Sequence, residues 1–507
     1  MVFLKFFDIL IFNNIKKFDK FKQSVQGYFM KKLFTILLFL STFLLAENKI
    51  DTKKQIQQEI FNSIRVFEES LTIRDKMVEL YNKLHAKSST KQPLSGKDLE
   101  DLSNTTSSFL KQREKLYDLA TKYEKETKSI SNDKESKDIQ MAKVSISLAS
   151  TLLMYDNWML AISQYQNDNL LRFHLNNPDS GYGIGYRELS KMASSFASSQ
   201  NRYRTKSAID WYEKNRQNDE IDFENYKYIS TLIKNSPSYA IIKENDTSNI
   251  INTKIEQTTF DFIDTGKSVK NETTNLVSLL FGNTVGMVAT RKGKLYDSQE
   301  ILTSTKSNLK AGDILLEKTP FRLTDSFIPG HWGHAALWIG DEQELKELGL
   351  WEHEAIVPYH DKIKNSKHII EALREGVVIN SMEHFLNIDD LAVIRDTDIA
   401  INKRKNIIIN AFRQLGKDYD FNFDANSCDK VYCSKLVYLA YGEVPWPTSR
   451  TLDRFVVNPD DIASYVVGSD SFEIVMLYHD GKKIKDNKKI AMKEFLNPKP
   501  TIQASVK

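Results

Sequence analysis

The sequence predicts an α+β protein in which a helical N-terminal domain precedes a C-terminal domain with a mainly antiparallel sheet. Its 507 residues, 41% hydrophobic and 27% charged, suffice for two or three domains. From about residue 50 to residue 239, apolar side chains recur at three- and four-residue spacing, which is typical of amphipathic helices. After Lys310, short β-rich runs separated by turns replace that spacing.

An unbroken apolar run from Leu33 to Leu45 follows two lysines and precedes a small residue, which is the pattern of a secretory signal peptide. Leu44 departs from the pattern, because a small residue is preferred three positions before the cut; an uncleaved membrane anchor is the alternative. We expect a signal peptide at 30–46 and an exported, periplasmic mature protein. We also expect Met30 to be the true start and residues 1–29 to be a non-native upstream extension.

The charge balance argues against a nucleic-acid partner. Residues 1–46 hold seven lysines and two aspartates, a net charge of +5, whereas the whole chain has +3. The mature chain therefore carries 3 − 5 = −2, and no global basic field would attract nucleic acid. Lysines do cluster after Gly481, and we interpret residues 481–507 as a basic flexible tail.

Residues 47–240 are predicted to form a bundle of four to six helices without a sequence repeat, and they contain no pattern that indicates chemistry. Turn signals divide this region at Lys91–Gly96, Ser129–Asp133 and Asn176–Gly185. Residues 241–309 are interpreted as a connecting region. Its apolar stretch Leu276–Val288 is too short and too interrupted for a membrane span, so we expect a buried segment.

The second folded domain is predicted at 310–480, with a mainly antiparallel sheet and two interleaved helices. The predicted strands are Asp313–Leu316, Ala335–Ile339, His368–Ala372, Val377–Ile379, Leu391–Arg395 and Phe472–Leu477. The predicted helices are Asp398–Leu415 and a segment from near Cys433 to Gly442.

Candidate catalytic residues cluster in this domain. Of the nine histidines in the chain, six lie from His331 to His384, and both cysteines follow them. Two cysteines exclude a disulfide framework, although Cys428 and Cys433 could bond to each other as a C-x4-C loop. The alternative is a nucleophile at Cys433, because a thiol at a helix N-terminus has a lowered pKa and lies beside free backbone N–H groups.

Strand alternation places His334, Ala336 and Trp338 on one face. The small side chain of Ala336 should leave the imidazole of His334 unobstructed. A Cys/His dyad usually has a third group that orients the imidazole through its other nitrogen. Glu371 is the best candidate, because it is a carboxylate within an otherwise apolar strand.

Several motifs, in this order, resemble the YiiX/YebB-like cysteine hydrolases. They are Gly312–Leu316, Gly333–Gly340, Ile370–Ala372 followed by Gly376-Val377, Tyr419–Phe421 and Tyr432–Val437. These are NlpC-type papain-fold enzymes in which the catalytic order is circularly permuted, histidine first and cysteine last. The resemblance covers about residues 310–480 and does not extend to the helical half.

The resemblance implies that Cys433 is the nucleophile, His334 the general base and acid, and Glu371 the residue that orients the histidine. It implies that Tyr432 and the backbone N–H of Cys433 neighbour the oxyanion, and that Tyr419 lies near the cleft. Such a reaction requires no metal and no organic cofactor. A departure is the long charged insertion 341–367, which could cover the cleft or alter what binds there.

Other readings of the same residues remain open. A metal site could use His331 and His334 with ligands from His353, Glu354, His360 or Asp361, although the H-x2-H spacing is too tight for one strand face. We interpret His331 instead as a loop histidine at the cleft entrance. The domain could also be a catalytically silent envelope-binding protein, for which partner and oligomeric state are unknown.

For an active enzyme, the expected substrate is a cell-wall peptide amide. A lipid or lipoprotein acyl ester or thioester, hydrolysed or transferred on the same fold, is the alternative, with association at a membrane or envelope surface.

Overall fold

The computed structural model describes residues 52–128, 134–216, 221, 223–244, 291–321, 330–420, 423–427, 429–451 and 454–497. The expected upstream extension, the signal peptide, Cys428 and the apolar segment Leu276–Val288 lie outside the described residues. Among the described helices, none combines the length and apolarity that a membrane crossing requires.

The N-terminal region is helical, as predicted, but its described residues form eight α-helices rather than four to six. They are α1 (52–89), α2 (Gly96–Lys122), α3 (Lys134–Asn157), α4 (Asn169–Asn176), α5 (Glu188–Ala197), α6 (Ser199–Asn215), α7 (Tyr226–Asn235) and α8 (Pro237–Lys243). Short breaks explain the difference in number. Only Ser198 separates α5 from α6, and only Ser236 separates α7 from α8, where the serine hydroxyl caps the helix that Pro237 opens.

The C-terminal region contains a seven-stranded sheet. Its strands are β1 (Ile314–Lys318), β2 (His334–Trp338), β3 (Lys367–Leu373), β4 (Gly376–Ser381), β5 (Asp390–Asp396), β10 (Phe472–His479) and β11 (Lys482–Lys483). They lie in the order β11-β10-β5-β1-β2-β3-β4, and every neighbouring pair is antiparallel. Two small sheets add β6 (Asp418–Tyr419) with β7 (Lys430–Val431) and β8 (Ser449–Thr451) with β9 (Arg454–Val456). The predicted antiparallel sheet is therefore confirmed.

Eight α-helices accompany these strands in the described residues. They are α9 (Gln299–Asn308), α10 (Glu342–Glu347), α11 (His360–Lys364), α12 (Met382–Phe385), α13 (Ile401–Phe412), α14 (Cys433–Ala440), α15 (Pro459–Gly468) and α16 (Lys488–Leu496). Helices α9 and α12 contribute to a hydrophobic core on one sheet face, which includes Leu315, Ala336 and Val393 from three adjacent strands. Burial of this apolar face holds the central strands in register.

The basic segment after Gly481 differs from the expected flexible tail. Residues 482–483 pair with β10, and α16 follows. Apolar side chains spaced among the lysines explain this order: Met492 is fully buried and its sulfur lies 3.1 Å from the indole nitrogen of Trp332.

The charged insertion 341–367 is folded, with α10 and α11 and with Leu345 and Ile363 buried. The insertion follows the end of β2 that is farther from His334, and the five-residue strand is about 15 Å long. The expectation that the insertion covers a cleft or alters what binds there stays a prediction.

The chain divides into two compact units that do not follow chain order. One unit comprises the described parts of Met1–Phe67, Leu119–Ser150 and Ala208–Asn235. The other comprises Glu68–Asp118 and Thr151–Ser207 together with the described parts of Ser236–Lys507. Two long segments of the helical region and helix α8 thus share a unit with the sheet, while the domain boundaries given above stay a prediction.

Candidate active site

Cys433 is the first residue of α14, a helix whose residues are all buried. Tyr432 precedes it with extended backbone (φ −103°, ψ 170°), so the helix begins at the thiol. Cys433 is a free cysteine and only 3% exposed. Because the first N–H groups of a helix lack partners within it and carry the positive end of its dipole, this position favours a thiolate.

Strand register brings Glu371 to His334. Glu371 of β3 pairs with Ala336, which lies two residues after His334 on β2. Directly paired residues project from the same face, so the carboxylate and the imidazole are diagonal neighbours. His334 Nε2 lies 3.0 Å from Glu371 Oε2, and both side chains are largely buried. Since Nε2 is engaged by the carboxylate, Nδ1 is the nitrogen left for the thiol.

The imidazole of His334 is hydrogen-bonded to Cys433 as well as to Glu371. Burial favours the neutral ring, but these two hydrogen bonds outweigh it and raise the pKa of His334 well above its usual value. Burial also opposes ionisation of the thiol, yet the hydrogen bond and charge of His334, with the backbone N–H groups of Ala335 and Ser434, lower the pKa of Cys433. The pair therefore favours a thiolate beside an imidazolium.

Two side chains that the sequence analysis did not single out support the histidine. Asn380 Nδ2 donates a hydrogen bond of 2.8 Å to Glu371 Oε1. Although burial opposes it, the contacts with His334 and Asn380 keep the pKa of Glu371 below its usual value. Buried Glu317 pairs with His334 across β1 and β2, and its charge helps to raise the pKa of the imidazole.

A buried lysine anchors the helix that carries the thiol. Lys435, two residues after Cys433, is 0% exposed. Its Nζ donates to the carbonyl oxygens of Asp424 at 2.8 Å and Lys430 at 2.9 Å, and lies 3.7 Å from Asp420 Oδ2. A buried cation with these partners ties α14 to the loop before it, and Asp420, which had no role from sequence, belongs to this anchor.

Residues from the helical region close against the other end of α14, within the same compact unit. Gly96 is the first residue of α2 and lies so close to α14 that a Cβ atom there would be 2.1 Å from the carbonyl oxygen of Tyr438. Lys97 N donates to Gly442 O at 2.9 Å, and the Tyr438 hydroxyl donates to Leu94 O at 2.5 Å. Only glycine at position 96 permits this approach, and the contact supports the helix that bears the thiol.

The two tyrosines expected near the cleft have different surroundings. The Tyr432 hydroxyl is buried and accepts a hydrogen bond of 3.0 Å from the N–H of Val457. Tyr419 lies near the thiol: burial, followed by the negative charges of Cys433 and Asp420, raises the pKa of its phenol well above the usual value. Tyr419 therefore keeps its proton beside a thiolate.

His331, which was expected at the cleft entrance, lies in the loop before β2 and has its own partners. Its Nε2 lies 2.9 Å from Asp390 Oδ2, and its ring stacks on Phe495. The metal set considered from sequence is not assembled either: among the described residues, the one group of three or more His, Cys, Asp or Glu side chains within metal-ligand reach joins His331 and Asp390 to His479.

Together, a thiol at a helix start, an imidazole on a strand and a buried carboxylate on an antiparallel sheet form an arrangement typical of papain-like cysteine hydrolases. Residues 308–497 match the family described as permuted papain-like amidase enzyme, YaeF/YiiX, C92 family. The match covers the whole seven-stranded sheet and α14, and it does not include the helical N-terminal region. No curated protein and no solved structure matches the chain.

Proposed function

We propose that this protein is an exported cysteine hydrolase that cleaves an amide bond through a thioester on Cys433, with cell-wall peptides as its substrate class. One observation carries the proposal: His334 is hydrogen-bonded to both Cys433 and Glu371 inside the region that matches a permuted papain-like amidase family.

In the first step, the Cys433 thiolate attacks the carbonyl carbon of the scissile amide. The backbone N–H of Cys433 at the helix start and the protonated hydroxyl of Tyr419 are the proposed donors to the oxyanion. The His334 imidazolium then gives its proton to the departing amine, and the C–N bond breaks to leave a thioester.

In the second step, neutral His334 takes a proton from water, and the resulting hydroxide attacks the thioester carbonyl. Collapse of the intermediate releases a carboxylic acid and restores the thiolate, with the proton held on His334. Glu371 and Asn380 keep the imidazole ring in one orientation through both steps.

The experiment is a matched comparison of the parent chain with Cys433→Ala and His334→Ala, under reducing conditions. Each protein is incubated with purified peptidoglycan and with a panel of phospholipids and lipopeptides, and products are identified by mass spectrometry. New amino and carboxyl ends on peptidoglycan peptides from the parent alone support the proposal. Release of fatty acid from the lipid panel, with no cleavage of peptidoglycan, would indicate that the scissile bond is an acyl ester and not an amide. Turnover by all three proteins would refute the assigned nucleophile and base.

Export is tested separately by intact mass of the protein recovered from cell fractions. The proposal predicts a periplasmic chain that begins at Glu47. A membrane-bound chain that retains residues 30–46 would indicate an uncleaved anchor, and a chain in the cytoplasm would refute export.

A further inference from the structure

Outside the catalytic triad, three potential metal ligands converge from separate parts of the sheet. His331 lies before β2, Asp390 opens β5, and His479 ends β10. Their ligand atoms all lie within 4.8 Å of one another. His331 Nε2 is 2.9 Å and His479 Nδ1 is 2.7 Å from the same oxygen, Asp390 Oδ2.

We propose that His331, Asp390 and His479 form a binding site for a divalent transition metal ion, with Zn²⁺ as the best-fitting ion. Two imidazoles and one carboxylate are a donor set typical of zinc sites with three protein ligands and an open position for water. Ligand atoms around a tetrahedral Zn²⁺ lie about 3.4 Å apart. The two imidazole nitrogens therefore need to move away from Asp390 Oδ2 by only about 0.5–0.7 Å to admit the ion.

The surroundings of the three side chains support this assignment. The second oxygen of Asp390, Oδ1, accepts a hydrogen bond of 2.7 Å from the backbone N–H of Asp480, which orients the carboxylate. Phe495 of α16 packs on both imidazoles, with ring centroids 4.7 Å from His331 and 4.6 Å from His479. A hydrogen bond that orients a ligating carboxylate and an apolar wall around the ligands are common features of metal sites.

Access to the site is open on one side. The side chain of Asp390 is 4% exposed and that of His331 is 15% exposed, whereas that of His479 is 49% exposed. An ion can therefore arrive from solvent at His479 while the carboxylate stays shielded. Binding would join the loop before β2 to the neighbouring strands β5 and β10 and so stabilise the fold.

The test is a Zn²⁺ titration of the untagged full chain by calorimetry, after chelator treatment. Both thiols are removed by Cys428→Ser and Cys433→Ala, because a thiolate would bind Zn²⁺ on its own. We expect one Zn²⁺ per chain and a rise in melting temperature. His479→Ala and Asp390→Asn should each weaken binding by at least about 10-fold, whereas His384→Ala, at a solvent-exposed histidine, should not.

Co²⁺ serves as a second probe of the same site. The proposal predicts visible absorption of a low-symmetry site with nitrogen and oxygen ligands, lost in His479→Ala. A parent protein that binds no Zn²⁺ would overturn the site, and so would a folded His479→Ala protein that binds Zn²⁺ as tightly as the parent. In either case the three side chains would form a hydrogen-bonded cluster that does not bind a metal ion.

Discussion

His331 and His334 lie three residues apart, yet the fold gives them different partners. Strand register places them on different sides: Glu317 pairs with His334, while the next residue, Lys318, pairs with Asp390, the partner of His331. Consecutive strand residues project from opposite faces. One histidine therefore meets a thiol and an orienting carboxylate, whereas the other shares a carboxylate with a second histidine. The chemistry of a histidine depends on its partners more than on its place in a motif.

The largest effect is expected from loss of the proposed nucleophile in the first cluster, which consists of Cys433, His334 and Glu371. Cys433→Ala removes the sulfur that forms the thioester in the proposed reaction, and we expect amide cleavage to fall by at least about 10³-fold. Hydrolysis rates on the substrate that the mass-spectrometry comparison identifies provide the measurement. Cleavage by the variant within a few-fold of the parent would contradict covalent catalysis by this residue.

The second prediction concerns the negative charge of Glu371 beside the imidazole of His334. Glu371→Gln keeps the shape of the side chain but removes the charge that stabilises the imidazolium, so kcat should fall by about 10²- to 10⁴-fold. The pKa of His334 should also fall, which narrows the pH range of activity from the alkaline side. A pH–rate profile that matches the parent would show that the carboxylate does not act through the histidine.

The two tyrosines beside the thiol provide a matched pair. Tyr419→Phe should lower kcat by about 10²-fold with little change in KM, because a donor to the oxyanion is lost. Tyr432→Phe instead leaves the N–H of Val457 without its partner and should lower the free energy of unfolding by about 1–3 kcal/mol. Equal kinetic losses in both variants would argue against a specific role for Tyr419.

A smaller effect on kcat is expected from loss of Asn380, which holds the carboxylate of Glu371 through a hydrogen bond. Asn380→Ala removes one hydrogen bond to Glu371, worth about 1 kcal/mol, and should lower kcat by about 5- to 10-fold. The unfolding midpoint should move little, since Asn380 is only partly buried. An unchanged kcat would show that His334 alone holds the carboxylate in place.

In the second cluster, which consists of His331, Asp390 and His479, a substitution should change the stability of the fold. With chelator present, Asp390→Asn weakens the contacts with two imidazoles, and we expect the free energy of unfolding to fall by about 1–3 kcal/mol. Chemical denaturation at neutral pH provides the measurement. A variant as stable as the parent would mean that the carboxylate contributes nothing without a metal ion.

Sequence patterns could predict the first cluster because each member has a local signal. Cys433 begins an apolar helix, His334 begins a strand with a small residue beside it, and Glu371 is a charge in an apolar strand. The supporting residues were harder to predict, because the contact of Asn380 with Glu371 depends on the register of two strands. Glu317 had the same signal as Glu371, a carboxylate after an apolar run, and could have been found.

The second cluster had no local signal at all. Asp390 comes just before a predicted strand and His479 just after another, 89 positions apart in the chain. Only the order of strands in the sheet brings them together with His331. The role of the helical region was also unpredictable, since the contact between Gly96 and Tyr438 joins residues 342 positions apart through backbone atoms.

The most direct test of the account is the ionisation of Cys433 itself. In a Cys428→Ser background, the ultraviolet absorbance of the thiolate is followed against pH for the parent and for His334→Ala, with Cys433→Ala as the blank. We predict that the parent thiolate persists well below the ordinary thiol pKa and that His334→Ala shifts its formation to higher pH, because the imidazolium lowers the thiol pKa. Identical titrations in the two proteins, at the pH of an ordinary thiol, would contradict the thiolate–imidazolium pair on which the proposed function depends.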